Sequence, residues 1–277
     1  MRVLVTGATG RVGSRLVKQL AVRGYDVRAL VRDPRRAVGL RGQRVEIMRG
    51  DLLDHNSLES AVKRVDVVVH CATAYFHEVT SEEAKDVNEL GSERLAKFAR
   101  DAGVRRMVFT STGLVYGDTG GRVAREDDVC EPPPGYFASK LATERLLLAV
   151  DGFDVRILRL PFVYGDGDGH IEEVAPRMRG YSPGRRVSIA HQADVVQAVA
   201  LVVNAARPSY RVYNVVDDEA PTMAALFGAV GAAPPDGSDA EAARASDVLL
   251  DGRRLRQDLG FKPLFPRLRD AIAAGAL

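Results

Sequence analysis

Tyr136-Phe137-Ala138-Ser139-Lys140 sets a phenol and an amine four residues apart. On a helix this spacing puts both side chains on one face, a single turn apart. A free phenol titrates near ~10 and carries protons poorly at neutral pH. A neighbouring ammonium favours the phenolate and brings the group into range for general acid–base work. About 24 residues earlier, Ser111-Thr112 offers hydroxyls that can hold a substrate oxygen while the adjoining carbon reacts. A YxxxK pattern is common by chance, so its meaning depends on the elements that place it.

Those elements alternate. Val3-Leu4-Val5, Val27 to Val31, Val45 to Met48, Val65 to His70, Met107 to Thr110 and Val155 to Leu160 are short, apolar and rich in β-branched residues. Such runs read as strands buried on both faces, as in a parallel sheet. Amphipathic stretches separate them: Val12 to Val22, Ser57 to Lys63, Glu82 to Ala102 and Tyr136 to Val150. In the third, Val87, Leu90, Leu95 and Phe98 recur at helical spacing. The expectation is an α/β fold, a Rossmann-type doubly wound parallel sheet. Beyond Gly165-Asp166-Gly167-Asp168-Gly169 the rhythm loosens. Residues 1–165 are therefore expected to form a dinucleotide-binding domain, and 166–277 mostly a small C-terminal substrate-binding lobe interleaved with the sheet edge.

The first strand runs into Thr6-Gly7-Ala8-Thr9-Gly10-Arg11-Val12-Gly13, and a helix follows. Gly7 permits a tight turn, Gly10 lets backbone approach a pyrophosphate, and Gly13 lets helix and strand pack closely. The helix N-terminus then presents unpaired N–H groups to the anion. A lone glycine pattern is weak, but this one lies after strand one and before helix one, as the motif requires. With a nicotinamide cofactor bound, Lys140 gains a second use as donor to its ribose. At the end of strand two an acidic residue would serve the ribose of NAD, and an arginine the 2′-phosphate of NADP. The sequence reads Val31-Arg32-Asp33, so NADP is favoured, with NAD as the alternative if Arg32 is a solvated charge and Asp33 serves the ribose. Asp51 offers a partner to the adenine amino group, or else caps a helix.

Together TGxxGxxG, Asp51, Val69-His70-Cys71-Ala72, Val87-Asn88, the stretch Thr110 to Gly117 and YxxxK resemble the extended short-chain dehydrogenase/reductase family, the NAD(P)-dependent epimerase/dehydratase group. Leu158 to Gly165, Tyr213-Asn214-Val215 and Leu259 to Pro263 extend the likeness along the whole chain. The resemblance implies the catalytic roles of Thr112, Tyr136 and Lys140. It implies cofactor contacts from Gly7, Thr9, Gly10, Arg11, Val12, Gly13, Arg32, Asp51, Leu52, Ala72, Thr73, Tyr136, Lys140, Pro161 and Val163. Substrate contacts would come from Thr112, Phe162, His77 and His191, with a structural role as the competing reading of each histidine. Family dehydratases carry an Asp-Glu pair directly after the threonine. Here those positions are Gly113 and Leu114, which transfer no proton, so dehydration of that type is not expected. Many sugar-nucleotide members have Asn where Phe162 stands. The segment from Gly165 to His191 is short, though Arg177, Arg179, Arg185 and Arg186 either serve a diphosphate or form a solvated basic surface.

The implied activity is hydride transfer at a hydroxyl or ketone carbon of a sugar-type, nucleotide-linked substrate by an epimerase or oxidoreductase. The alternatives are an NADPH-dependent reductase of a non-sugar ketone, and a non-catalytic NADP-sensing regulator. The intact Thr112, Tyr136 and Lys140 favour an enzyme over a sensor. Lys+Arg 39 against Asp+Glu 37 leaves a net charge of +2, with no basic excess to suggest nucleic acid. No apolar run reaches the roughly 20 residues of a membrane span, and the opening residues already read as strand and turn rather than as a signal peptide. Two cysteines make no disulfide framework, and no metal-ligand spacing occurs. A cytoplasmic, metal-free protein is expected. A homodimer through the helices that include Glu82–Ala102 and Tyr136–Val150 is a further expectation.

Overall fold

The computed structural model describes residues 1–74, 81–244 and 247–277. Its first half alternates β1 (Arg2–Thr6), α1 (Arg11–Val22), β2 (Asp26–Val31), β3 (Val45–Arg49), α2 (His55–Val62), β4 (Val67–His70), α3 (Ser81–Lys85), α4 (Ser92–Asp101), β5 (Arg106–Thr112), α5 (Tyr136–Leu148) and β6 (Asp154–Leu160). Short elements follow: β7 (Phe162–Tyr164), α6 (His170–Val174), β8 (Ile189–His191), α7 (Gln192–Asn204), β9 (Val212–Asn214), α8 (Met223–Gly228), α9 (Ala240–Arg244), α10 (Arg253–Leu259) and α11 (Leu268–Ala273).

Seven strands form one sheet in the order β3-β2-β1-β4-β5-β6-β9, and β7 pairs with β8. Pairing is parallel from β3 through β5, with Val3 opposite Val27 on one side and Val67 on the other. The strand order reverses between β1 and β4. In open α/β sheets such a switch point is where ligands bind, outside the carboxyl ends of the strands. The apolar runs earn their place in the sheet by burial: Val3, Leu4, Val5, Val67, Val68 and Val69 are all fully buried.

The chain divides into two compact units. The first comprises Met1–Ser111, Pro133–Leu158 and Val199–Val212, and its core gathers Leu4, Leu58, Val68, Leu95, Met107 and Ile157. The second comprises Thr112–Pro132, Arg159–Ala198 and Tyr213–Leu277, with a core around Tyr164, Ile189, Leu226 and Phe227. The chain thus enters the second unit three times.

The stretch from Glu82 to Ala102 is not one regular helix. Between α3 and α4 the segment Asp86–Gly91 is π-helical. Each π turn holds an extra residue and rotates the helical phase. Leu90, expected on the buried stripe, is 42% exposed, while Asn88 and Gly91 are buried; Asn88 lies two turns before buried Leu95 and shares its face, and Leu90 does not. A side chain at Gly91 would press on Leu52, with a Cβ 2.9 Å from Leu52 Cβ.

Candidate active site

The glycine turn is as tight as its sequence requires. Gly7 sits at φ +64°, and a Cβ there would lie 2.5 Å from Ala72 N and 2.6 Å from the Cys71 carbonyl carbon. The exits of β1 and β4 therefore pass too close for any side chain. A Cβ on Gly13 would fall 2.2 Å from Gly7 O, so α1 packs directly on the turn. Gly10 N donates to Gly7 O at 2.9 Å, and no side chain caps the N-terminus of α1. An uncapped helix start beside backbone that glycine alone can form fits a dinucleotide pyrophosphate.

At the end of β2, Val31 is buried and Arg32 exposed. Among the described residues the Arg32 guanidinium has no ion-pair partner. Asp33 is committed elsewhere: its carboxylate accepts from Arg35 N at 3.0 Å, from Nε at 2.9 Å and from the guanidinium terminus at 2.8 Å. These bonds hold Asp33 below the usual carboxylate range, assisted by the charges of Arg36 and Arg49. Asp51 Oδ1 accepts from Leu53 N at 2.9 Å in a local turn. The cap of α2 is Asp54, whose Oδ1 accepts from Asn56 N, so the capping alternative for Asp51 is excluded. Leu52 is buried in the core of the first unit.

Tyr136 opens α5 after Gly135, whose φ of +106° supplies the sharp entry. One turn later Lys140 is only 3% exposed, where a helical lysine is usually solvated. Its Nζ donates to Thr110 O at 2.8 Å and lies 4.0 Å from the centre of the Phe109 ring. Burial pulls its pKa down to about 8, and the charge of Glu144 opposes that fall. Cys71 is pushed up to about 11 by burial, which leaves an inert thiol.

Asn88 is 2% exposed and bonds the protein directly. Its Oδ1 accepts from Ala74 N at 2.7 Å and from Thr73 Oγ1 at 3.2 Å. Its Nδ2 donates to Ala74 O and to Ser139 Oγ, and its carbonyl accepts from Thr143 Oγ1 at 2.9 Å. The loop after β4 is thereby tied to the helix that carries Tyr136 and Lys140. Ser111 Oγ, at the end of β5, is buried with no hydrogen-bond partner among the described residues. An orphaned hydroxyl there suits a bound polar group.

Thr112 begins the second unit. Its Oγ1 accepts from Leu114 N at 3.2 Å, which leaves the hydroxyl proton to be donated outward. Pro161 and Val163 flank Phe162, whose ring stacks on His170 with centroids 4.3 Å apart and planes 6° apart. His170 Nδ1 donates to Val163 O at 2.8 Å. Sequence reasoning missed His170, because the Gly165–Gly169 loop separates it from its partner.

His191 is buried, Nε2 donates to Ala276 O at 2.7 Å, and Nδ1 accepts from Ala193 N at 3.1 Å. With both nitrogens bonded to backbone, the ring braces the C-terminal segment, as its structural reading has it. His77 lies outside the described residues. Arg179 pairs with Asp236 at 3.1 Å, and the Arg185 guanidinium sits 4.8 Å from the Tyr181 ring. Among the described residues no helix is long and apolar enough to cross a membrane, and no His/Cys/Asp/Glu group is arranged to hold a metal ion.

A reversed strand order with a glycine cradle at the switch point defines a dinucleotide-binding α/β protein. Residues 3–215 match the model of the NAD dependent epimerase/dehydratase family, and the chain belongs to that family. It is 32% identical over 231 residues to the 4-hydroxy-2-methyl-3-oxo-4-farnesyl-3,4-dihydroquinoline-1-oxide ketoreductase of Stigmatella aurantiaca, covering 78% of this chain and 68% of that protein. It is 31% identical to a dTDP-4-dehydro-6-deoxy-D-allose reductase of a Streptomyces species, over 94% of this chain and 91% of the relative. The solved structure of Thermus thermophilus UDP-glucose 4-epimerase complexed with NAD superimposes with a TM-score of 0.79 at 28% identity, covering 98% and 96% of the two chains. The protein is thus a member of an extended short-chain dehydrogenase/reductase enzyme family with an NAD(P) cofactor.

Proposed function

We propose that this protein transfers hydride between NADP(H) and a hydroxyl or ketone carbon of a sugar-type, nucleotide-linked substrate, with Thr112, Tyr136 and Lys140 as its catalytic set. The observation that carries the reading is the buried Lys140 ammonium, pinned to Thr110 O one helical turn from Tyr136. The cofactor, when bound, supplies or accepts the hydride. Tyr136 gives a proton to the substrate oxygen during reduction and takes one during oxidation. The Lys140 ammonium stabilises the phenolate and so lowers the cost of that exchange at neutral pH. The Thr112 hydroxyl, its acceptor side taken by Leu114 N, donates to the same oxygen. Gly113 and Leu114 provide no acid or base for loss of water.

NADP is favoured over NAD by the free Arg32 guanidinium and by the engagement of Asp33 with Arg35. A second reading, reduction of a non-sugar ketone, is favoured by Phe162 and its stacked His170, an apolar surface where many sugar-nucleotide enzymes carry Asn. One experiment separates the two. Purified protein is incubated with nucleotide sugars and with small ketones, with and without added NADPH. Isomerised sugar without net cofactor change identifies an epimerase, and stoichiometric NADPH loss identifies a reductase. Tyr136→Phe should lower turnover at least ~10²-fold while leaving cofactor affinity within about twofold. Wild-type turnover in that variant would reject the assignment.

A further inference from the structure

His70 closes β4 and takes no part in the proton transfer proposed above. Its ring is nonetheless held at every polar atom. Nδ1 lies 2.6 Å from Thr6 Oγ1, and Nε2 lies 2.7 Å from Ser92 Oγ. Thr6 Oγ1 already accepts from Ala72 N at 3.3 Å, so its own proton is available to Nδ1. The ring then carries its single proton on Nε2 and donates to Ser92. Burial, with Lys140 nearby, depresses the His70 pKa to about 3, which keeps the ring neutral at working pH. A doubly protonated ring could not accept from Thr6.

The chain of bonds ends on the two atoms that shape the glycine turn. Thr6 immediately precedes Gly7, and Ala72 N is the atom that a Gly7 Cβ would meet first. The same ring stacks on Phe109 with centroids 5.4 Å apart, and Phe109 is the ring on which Lys140 rests. The His70 carbonyl accepts from Thr110 Oγ1 at 3.3 Å, beside the carbonyl that anchors Lys140.

We propose that His70 is a positioning residue for the dinucleotide, holding the exits of β1 and β4 at the separation the phosphate-binding turn needs through the chain Ser92–His70–Thr6–Ala72. The proposal rests on the dinucleotide reading above and adds to it a residue that does not touch the cofactor. Any buried histidine needs both ring nitrogens satisfied. A positioning histidine depends on Nδ1, because only that atom faces Thr6.

The test uses the full chain and NADPH fluorescence titration, with a melting temperature for every variant. His70→Asn brings an amide atom close to the position of Nδ1, so it keeps the Thr6 contact and loses Ser92. His70→Gln reaches toward Nε2 and does the reverse. The expected result is an NADPH Kd raised about tenfold by His70→Gln and less than about threefold by His70→Asn. Thr6→Val removes the hydroxyl at nearly constant volume and should match His70→Gln, while Thr6→Ser should restore binding. The Thr6 pair decides the matter if either histidine variant fails to fold. Equal affinities for the two histidine variants, or a folded Thr6→Val that binds within twofold of wild type, overturn the proposal. Wild-type protein that binds neither NADPH nor NADH removes the dinucleotide reading itself, and the proposal with it.

Discussion

Replacing Arg32 by alanine tests the cofactor assignment most directly. The end of β2 gathers the guanidinium groups of Arg32, Arg35 and Arg36, with Arg49 acting on the same carboxylate from β3. Asp33 is the one acid among residues 31–36, and Arg35 already engages it at 2.8 Å. A 2′-phosphate arriving here meets uncompensated positive charge, whereas a ribose hydroxyl finds no free carboxylate. Hydrogen bonds to charged groups contribute about 1.5–3 kcal/mol, and a bidentate phosphate contact lies toward the top of that range. Arg32 is exposed, so salt screening pulls the value down to about 1.5–2 kcal/mol at physiological ionic strength. Arg32→Ala should therefore weaken NADPH binding about 10- to 30-fold and leave NADH within about twofold.

The assay is equilibrium titration of both reduced cofactors at two salt concentrations. The NADPH advantage should shrink as salt rises, because the contact is a surface one. Arg35→Ala supplies the complementary arm: it frees the Asp33 carboxylate, and NADH affinity should rise severalfold. Tighter binding of NADH than NADPH by wild type would falsify the reasoning, and so would an Arg32→Ala variant that loses both cofactors equally.

Three further outcomes follow from the geometry. Gly13→Ala should abolish cofactor binding at modest cost to overall folding, since its Cβ would fall 2.2 Å from Gly7 O and force α1 off the turn; unchanged NADPH affinity contradicts the packing argument. Turnover should decline as pH rises past about 8, where buried Lys140 loses its proton and the phenolate its counter-charge; a rate profile flat to pH 10 would remove Lys140 from the mechanism. Asp217 is buried against Asp194 and Tyr164, and its pKa is raised from 3.8 to about 8, first by desolvation. Its folded form holds a proton that its unfolded form releases, so its stabilisation is full below about pH 4 and lost as pH rises through 8. Asp217→Asn should keep the neutral side chain and unfold at higher urea than wild type at pH 8.5, with the two converging near pH 4; equal midpoints at pH 8.5 would show that Asp217 is already ionised at no cost.

Much of the scaffold was legible because its signals are local. Each strand of the first unit is a short apolar run, and the turn between β1 and α1 is a glycine spacing that can be read residue by residue. The spacing of Tyr136 and Lys140 was legible for the same reason, as an interval of four along one helix. What escaped was long-range. The π turn at Asp86–Gly91 interrupts a helix whose apolar periodicity looks continuous in sequence, and within it Leu90 lies outward and Asn88 inward. His191 stayed open between a substrate and a structural role because nothing near it in sequence announces the Ala276 carbonyl, 85 positions away. His170 was passed over because its partner Phe162 lies across a glycine-rich loop.

The same division separates where the chemistry sits from how strongly it acts. Tyr136 and Lys140 are placed by the helix alone, but a lysine one turn along a solvated helix would titrate near its ordinary value and stabilise a phenolate weakly, across water. Here residues 30 positions away in sequence remove that water. Thr110 O fixes the ammonium, Phe109 covers it, and His70 behind Phe109 stays neutral, so no second cation competes with it. A motif of five residues can specify an acid–base pair, yet its strength at neutral pH depends on β4 and β5, whose contribution is burial. Transplanting Tyr136 to Lys140 onto an exposed helix should therefore keep the geometry and lose most of the tuning, as a lysine pKa returned to near ~10.4 would show.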